Sequence, residues 1–440
     1  MSSIIFLGTY KPMVCGIGDY TSFITPQLTD IDWGVISFDT SGYIGSLSGD
    51  TSVPDDRVWY GIPSQCEYST GIIRSGVRGL GTCCAGDAIL WFQHEHGIWH
   101  DDQRFINTLR GLSRPKVVTL HTVHFQSADT ASGLRQNQYE FLAELLPNVD
   151  AVTVFSLGVY KAVTTAFPEY RSKVFSLRHG VHSYPDVARM TRREAREKLS
   201  DFLLYESDLS AGAKKDIYRQ RLLMDPEKII IGQAGFLDPS KQSEMLFQVG
   251  DELKRMMPGA KITSVRIGGV RESSQERYAA QLRSRHDGEN RFLLEVLLPR
   301  DMLPVAQKAF DMNYYWPKDC TQSGALAHAL GAGGVIAGRD LEGVGETLGD
   351  AGQMVEKDFN RLLLKMRDAL VDHDLAEQMR ESALRYAAEY SWKKQAAIHC
   401  EIADSLVNRK TFSSVKNGGW PGYSAFTKSS RSFEAVGVSY

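Results

Sequence analysis

The chain has 440 residues, which is enough for two domains of ordinary size. Its 42% hydrophobic and 23% charged residues are typical of a globular protein, and 50 basic residues against 53 acidic ones argue against nucleic acid as a main partner. The six cysteines form no paired C-x-x-C metal pattern, so free thiols are the simplest interpretation.

The N-terminus shows no basic segment followed by a long apolar core, and no stretch approaches the ~20 apolar residues that span a bilayer. We therefore expect a cytoplasmic protein. Peripheral membrane contact stays open, because such contact needs only a small basic face.

Short β-rich segments alternate with helical patterns along the chain. Predicted strands of the first half lie at residues 4–7, 35–38, 88–92, 117–120, 151–155 and 174–177. Those of the second half lie at residues 229–233, 262–267, 293–296, 312–315 and 334–337. This alternation indicates an α/β protein with two Rossmann-like, doubly wound parallel-sheet domains that face one another across a cleft. Ligands of such sheets bind beyond the carboxyl ends of the strands.

Composition suggests the domain boundaries. Residues 1–185 and 229–390 form the two predicted domains, and the charged stretch 186–228 is typical of a solvated helical linker or hinge, with a basic partner-binding face as the alternative. Residues 391–440 combine a last helix with a Ser/Gly-rich tail. Among the aromatic residues of the tail, Trp420, Tyr423 and Phe426 could pack on a domain surface.

A glycine-containing loop follows the first predicted strand. Gly16 and Gly18 let the backbone come close to a ligand, and the helix that follows offers free N–H groups to a phosphate. A plain tight turn is the alternative. Asp19 and Tyr20 continue this segment into the helix.

Polar and titratable residues crowd the ends of two further strands. The first group is His94, Glu95 and His96, and the second centres on His121. The first group could bind an acceptor, and His121 could contact a sugar. For both, purely structural packing is the alternative interpretation. His94 and His96 could share a metal on an extended segment, but the sequence offers no evident third ligand, so we predict no metal site.

Two loops of the second half suit an anion. Gly235 ends a strand, and Lys241 lies at a helix start, where its ammonium and the helix N-terminus can point at one anion; a surface lysine is the alternative. Residues 319–337 run from a polar loop through a small-residue helix to a glycine turn and a strand. This helix can present its first N–H groups to a diphosphate. An ordinary buried helix is the alternative. The residues at its start are Gln322, Ser323 and Gly324.

Taken together, these loops resemble glycosyltransferase family 4, the retaining enzymes of GT-B fold, over roughly residues 1–405. The matching segments are 16–20, 93–97, 120–122, 235–241, 327–337 and 390–392. The Q-H-E-x-G segment at 93–97 resembles a bacterial subgroup often labelled mannosyltransferases. The resemblance implies transfer of a hexose, mannose or glucose, from a nucleotide-diphosphate sugar to a glycan, a lipid-linked acceptor or a small molecule.

The chain departs from the family pattern at three positions. Where the family carries two glutamates eight positions apart, this chain has Asp319 and Ala327. Phe236 takes the place of an arginine that the family sets beside the diphosphate, and Arg266 at the end of the next predicted strand is a candidate substitute for its charge.

The resemblance also implies site roles. Catalytic roles fall to His121, Lys241 and Asp319. Donor contacts fall to Gly16, Gly18, Gly235, Arg266, Gln322, Ser323 and Gly324. Acceptor contacts fall to Asp19, Tyr20, His94 and Glu95. The diphosphate itself accepts the acceptor's proton in such enzymes, so no metal or cofactor is expected besides the donor substrate.

Two other functions compatible with the fold remain. The first is a catalytically weakened GT-B protein that binds a nucleotide-sugar or glycan as a partner subunit, which Ala327 and Phe236 favour. The second is a GT-B sugar-nucleotide epimerase, which would release an altered nucleotide-sugar without an acceptor. The sequence leaves the oligomeric state open.

Overall fold

A computed structural model describes residues 3–45, 47, 56–81, 87–270, 273–286 and 290–408. These residues form a seven-stranded sheet and a six-stranded sheet. The strands of the first sheet are β1 (Ser3–Leu7), β2 (Asp32–Phe38), β3 (Val58–Ile62), β4 (Ala88–His94), β5 (Lys116–Leu120), β6 (Ala151–Val154) and β7 (Val174–Ser176). Those of the second are β8 (Lys228–Ala234), β9 (Lys261–Ile267), β10 (Arg291–Leu294), β11 (Met312–Tyr315), β12 (Ile336–Arg339) and β13 (Met354–Glu356).

Helices cover both sheets and connect their strands. Those of the first domain are α1 (Gly16–Ile24), α2 (Thr70–Gly79), α3 (Asp102–Arg110), α4 (Gln136–Leu145) and α5 (Leu157–Ala166). In the sequence, three α-helices lie between the strands of the first sheet and those of the second, namely α6 (Pro185–Arg189), α7 (Arg192–Asp201) and α8 (Ala211–Arg219). The remaining helices are α9 (Ser243–Met256), α10 (Ser273–His286), α11 (Met302–Ala309), α12 (Gly324–Gly331), α13 (Glu342–Asp350), α14 (Phe359–Val371), α15 (His373–Glu389) and α16 (Trp392–Val407).

Both sheets are parallel, and in each the strand order reverses once. The first sheet has the order β3-β2-β1-β4-β5-β6-β7 and the second the order β10-β9-β8-β11-β12-β13. The reversals lie between β1 and β4 and between β8 and β11. Loops that leave neighbouring strands at such a point diverge and open a crevice, where ligands of doubly wound sheets bind. The predicted two-domain α/β architecture is confirmed.

The strands are apolar because helices cover them on both faces. Every residue of β1 and of β4 is buried. Continuous apolar runs of this kind are what parallel strands need, and they explain why most strands could be located in the sequence. The predictions missed β3, which contains Gly61, and the three-residue strand β13. The strand predicted at 334–337 begins at Ile336 instead, since Gly333, with a φ of 67°, still belongs to the preceding turn.

The charged stretch 186–228 is not a solvated hinge. Its helices bury apolar side chains against the second sheet, among them Ala195 and Leu199 of α7. Arg196, only 7% exposed, donates from Nη2 to Oδ2 of Asp311 at 2.5 Å and from Nε to the carbonyl of Ala309 at 3.1 Å. The stretch therefore belongs to the core of the second domain. Its charge pattern concealed this role, because one helix face is buried while the others are charged.

Helix α16 crosses back to the first domain. Trp392 and Ile402 pack in the same core as Phe6 and Trp91. The ring of His399 stacks on Trp91 with 4.4 Å between the centroids. The chain thus joins its two domains twice. The tail aromatics Trp420, Tyr423 and Phe426 lie outside the described residues, and among those described no helix is long and apolar enough to cross a membrane.

Buried neutral histidines are a feature of both domains. Burial lowers the pKa of these side chains from 6.5 to about 3 for His94 and His121, about 4 for His179, His328 and His399, and about 2 for His182. The unfolded chain takes up a proton at each as the pH falls below 6.5, whereas the folded chain does not. Stability is therefore lost as the pH falls from 6.5 toward 4, because each of these histidines takes up a proton when the chain unfolds.

We expect a markedly lower free energy of unfolding at pH 5.0 than at pH 7.5, measured by urea titration. Replacing His399 by leucine removes one group that takes up a proton on unfolding. The slope of the unfolding free energy against pH should then fall by an amount equivalent to about one proton. A free energy that is constant over this pH range would contradict the neutral state of these side chains.

Candidate functional site

The loop that leaves β8 is shaped by Gly235. Its φ of 127° lies in a region that favours glycine, so a side chain at this position would strain the backbone. Phe236, which replaces the arginine expected from the resemblance, is 41% exposed on this loop. The loop carries the chain to the single helical turn Pro239–Lys241.

The buried guanidinium of Arg266 fixes this loop through hydrogen bonds to its backbone. Its Nη1 donates to the carbonyls of Gln233 at 3.1 Å and of Gly235 at 3.0 Å, and its Nη2 donates to the carbonyl of Phe236 at 2.6 Å. Its Nε donates to Oγ of Ser243 at 2.8 Å. The prediction that Arg266 meets the donor is wrong, since a guanidinium that is 1% exposed and committed to backbone carbonyls shapes the loop instead. Burial lowers the pKa of this side chain to about 10.

Lys241 faces a small pocket between the Gly235 loop and α12. Its Nζ lies 4.0 Å from Sγ of Cys320. Within the described part of the chain, no carboxylate oxygen lies within 4 Å of this ammonium. The pocket is lined by Gln233, Lys241, Tyr315, Trp316, Pro317, Cys320, Ser323 and Val344. Asp238 interacts with this ammonium electrostatically but forms no ion pair with it within 4 Å, so the cation at the pocket wall can take an anionic ligand.

The N-terminus of α12 opens toward the same pocket. Ser323 caps the helix, and its Oγ accepts from the N–H of Leu326 at 3.3 Å. No heavy atom among the described residues lies within 4 Å of a Cβ built on Gly324, so this first turn is open. The side-chain oxygen of Gln322 is buried without a hydrogen-bond partner. Ala327 is 4% exposed and packs in the apolar core, so it supplies no ribose acceptor.

His121 lies across the domain boundary from this segment. Its Nε2 is 2.7 Å from Oε1 of Gln93, and its carbonyl accepts from Oγ1 of Thr321 at 3.2 Å. The imidazole is 2% exposed and packs edge-on against Tyr20. With a pKa of about 3 after burial, it is neutral near pH 7 and cannot serve as a cationic group.

Asp319 joins the two domains. One carboxylate oxygen accepts from Nη2 of Arg135 at 2.8 Å, and the other lies 3.1 Å from Nδ1 of His124. Glu342, at the start of α13, lies 2.8 Å from the same histidine nitrogen and accepts from the N–H of Phe125 at 3.0 Å. The side chain that the resemblance assigns to the donor sugar is thus held by the opposite domain.

Helix α13 extends this contact through a row of carboxylates. Glu346 accepts from the N–H groups of Leu157 at 2.9 Å and Gly158 at 2.6 Å, at the N-terminus of α5. Arg178 donates to Glu346 at 2.7 Å and to Asp350 at 2.6 Å. Our sequence analysis missed this row. Its signal is the spacing of four between Glu342, Glu346 and Asp350, which places them on one helix face.

The first loop contributes only part of what we expected. Gly16 is exposed, with no described atom within 4 Å of a built Cβ, and Gly18 packs beside Thr9. Asp19 accepts from Nη2 of Arg300 in the second domain at 2.9 Å. The acceptor role predicted for Tyr20 is wrong, because its ring is 1% exposed in an aromatic core.

The end of β4 differs from the prediction in a similar way. His94 is 2% exposed and its ring stacks on Phe141 at 4.7 Å, so it is not free to contact an acceptor. Glu95 accepts from Oγ1 of Thr122 at 2.5 Å. His96 points instead to Asp102 in the first turn of α3, with 3.3 Å between Nδ1 and Oδ1. Asp102 is the third metal-ligand candidate that the sequence spacing did not reveal.

The structure therefore gathers one group of the predicted residues and disperses another. Gly235, Lys241, Gln322, Ser323 and Gly324 surround the second-domain pocket or lie next to it. His121 and Asp319 lie at the domain boundary beside that segment. Tyr20 and His94 are buried in the first domain, whereas Arg266 is buried beneath the pocket and bonded to the backbone of the Gly235 loop.

Comparison with known proteins gives structural likeness only. No family model matches the chain, and no curated protein matches it in sequence. The α,α-trehalose-phosphate synthase (UDP-forming) of Burkholderia vietnamiensis is 15% identical, covers 94% of this chain and 100% of its own, and has a TM-score of 0.64. The sucrose-phosphate synthase of Thermosynechococcus elongatus is 12% identical over 93% of this chain and 100% of its own, with a TM-score of 0.64.

HepE of Anabaena, solved in complex with UDP, is 12% identical over 92% of this chain and 100% of its own, with a TM-score of 0.60. The likenesses extend over both domains, and their TM-scores exceed those of unrelated folds. Together with the paired parallel sheets, they show that this chain has the GT-B fold.

Proposed function

We propose that the protein is a glycosyltransferase that takes its sugar from a nucleotide-diphosphate donor. The observation that carries this proposal is the ammonium of Lys241, which forms no ion pair within 4 Å among the described residues and faces the pocket beside the open N-terminus of α12. A cation and a helix N-terminus at one pocket suit a diphosphate. The solved proteins of similar fold include one described as UDP-forming and one bound to UDP, which supports this choice of ligand class.

The proposed chemistry is stabilisation of a departing nucleoside diphosphate. When the bond between the sugar and the diphosphate breaks, negative charge grows on the leaving oxygens. Lys241 and the first N–H groups of α12 would balance that charge. Asp319 would bind hydroxyl groups of the donor sugar after exchanging its contacts with Arg135 and His124. The carbonyl of His121 keeps a second lone pair with which to face the developing positive charge.

We further propose retention at the anomeric carbon, a hexose donor and an acceptor bound on the first domain near Gly16, Asp19 and Glu95. UDP-glucose is the first donor to test, because HepE has been solved in complex with it. GDP-mannose follows, because the Q-H-E-x-G segment resembles sequences labelled mannosyltransferases.

A second candidate function is binding of a nucleotide-sugar without turnover. Two observations favour it. Asp319 is engaged by Arg135 and His124, and Ala327 is buried where the resemblance places a ribose-binding glutamate. Such a protein would bind the donor and act as a partner subunit.

The two functions are separated by measuring binding and turnover on the same protein. A thermal-shift screen of UDP, GDP, ADP and dTDP should raise the melting temperature for the nucleotide that fits, because the ligand binds only the folded state. The matching nucleotide-sugars are then incubated with and without glycan, lipid-linked and small-molecule acceptors. Release of nucleoside diphosphate supports the transferase, whereas binding without release across all acceptors supports the second candidate. No shift with any nucleotide would contradict both.

A further inference from the structure

We propose that His94, His96 and Asp102 form a binding site for a divalent transition metal, with Zn²⁺ as the ion of choice. One ligand atom from each of these side chains lies within 4.8 Å of the others. Two imidazoles and a carboxylate form a ligand set that Zn²⁺ accepts, with a fourth position for water. This inference does not rest on the proposed glycosyl transfer.

The spacing of two of the ligands already fits a metal. Nδ1 of His96 and Oδ1 of Asp102 are 3.3 Å apart. Ligands at Zn–N and Zn–O distances of about 2.0–2.1 Å in a tetrahedron lie about 3.3 Å from each other. The same separation is long for a charge-assisted hydrogen bond, which usually spans about 2.7–2.9 Å.

The third ligand is a buried histidine with unused hydrogen-bonding capacity. His94 is 2% exposed, and its Nε2 is buried without a hydrogen-bond partner in the described structure. An unsatisfied buried ring nitrogen destabilises the folded chain, and metal coordination of the imidazole gives the ring a polar partner.

The surroundings of the site favour a structural role with access from solvent. The ring of His94 packs against Phe105 at 4.8 Å and Phe141 at 4.7 Å, which leaves it little freedom to turn. His96 and Asp102 are 35% and 47% exposed, so an ion and a water ligand can reach them. A bound ion would connect the end of β4 to the first turn of α3 and so close the segment between them.

The test is Zn²⁺ binding to the full chain after EDTA treatment and removal of the chelator. Competition with a chromophoric chelator should reveal one equivalent of bound Zn²⁺ and a raised melting temperature. His96→Ala and Asp102→Asn should each weaken binding by at least about tenfold. Both side chains are partly exposed, so both variants should fold, which circular dichroism verifies. His373→Ala is the matched control, because His373 is exposed at the start of α15.

Co²⁺ provides a second readout, since a tetrahedral site gives intense visible absorption that an octahedral aqueous ion lacks. The nearby thiol–imidazole pair of Cys66 and His100, 3.1 Å apart, is a competing site that Cys66→Ser removes. Binding that survives His96→Ala but disappears in Cys66→Ser would overturn the proposal. Wild-type protein that binds no stoichiometric Zn²⁺ at micromolar concentration would overturn it as well.

Discussion

Replacing Lys241 by alanine is expected to lower kcat/KM for the nucleotide-sugar by about 10²–10³-fold, since one group that stabilises transition-state charge is lost. The ammonium faces the pocket beside α12 and has no carboxylate within 4 Å among the described residues. Release of nucleoside diphosphate from the donor identified by the thermal-shift screen provides the measurement. The melting-temperature increase produced by the free nucleoside diphosphate should shrink in the same variant.

Lys393→Ala is the matched control, because this lysine is exposed on α16. Its turnover and nucleotide response should equal those of the wild type. Equal turnover in Lys241→Ala and wild type would remove the observation on which the proposed function depends. Loss of nucleotide binding in a protein that never turns over any donor would instead assign Lys241 to the binding-only candidate.

Arg178→Met is expected to destabilise the protein by about 1–3 kcal/mol, because it removes the buried cation between two partly exposed carboxylates at the domain boundary. Arg178 is 6% exposed and donates to Glu346 at 2.7 Å and to Asp350 at 2.6 Å. Methionine fills a similar volume, so the effect reports the lost charge rather than a cavity. Urea-induced unfolding followed by tryptophan fluorescence measures the change.

The control for this effect is Arg385→Met. Arg385 and Glu381 form an exposed pair 3.6 Å apart, with side chains 63% and 62% exposed, so its loss should cost less than about 1 kcal/mol. Adding Glu346→Gln and Asp350→Asn to Arg178→Met should restore part of the stability, because the uncompensated charges are then removed. Equal unfolding midpoints for Arg178→Met and the control would show that the row on α13 does not hold the domains together.

Binding of the proposed donor must change the contacts of Asp319. Asp319 is bonded to Arg135 and His124, both in the opposite domain. A sugar hydroxyl can reach this carboxylate only by replacing one of those partners or by a small domain rotation. The proposed function therefore includes an exchange at the domain boundary that accompanies donor binding.

Most of the architecture could be predicted from the sequence. Strands such as β1 and β8 contain continuous apolar runs because both faces of a parallel sheet are covered, and such runs are easy to locate in the sequence. The loops after these strands then had to lie at the cleft, since parallel strands all end at one edge. Lys241 lines the pocket in the structure, and its donor-binding role and that of Gly235 stay predictions.

The direction of individual side chains could not be predicted. Arg266 lies near the end of β9 as expected, but its guanidinium turns toward the carbonyls of the Gly235 loop rather than toward the cleft. Tyr20 and His94 follow or flank cleft loops and yet are buried. A position in a strand or loop limits where a Cα lies, whereas the packing of distant segments decides where the side chain points.

The sequence by itself thus determined two parallel-sheet domains, the positions of most of their strands and the loops that could carry chemistry, because burial on both sheet faces leaves a local pattern. Only the tertiary structure decided which residues meet across long separations. It paired Asp319 with Arg135 and placed the α13 carboxylates on the first domain. These contacts depend on the relative placement of elements far apart in the chain, which no local spacing encodes.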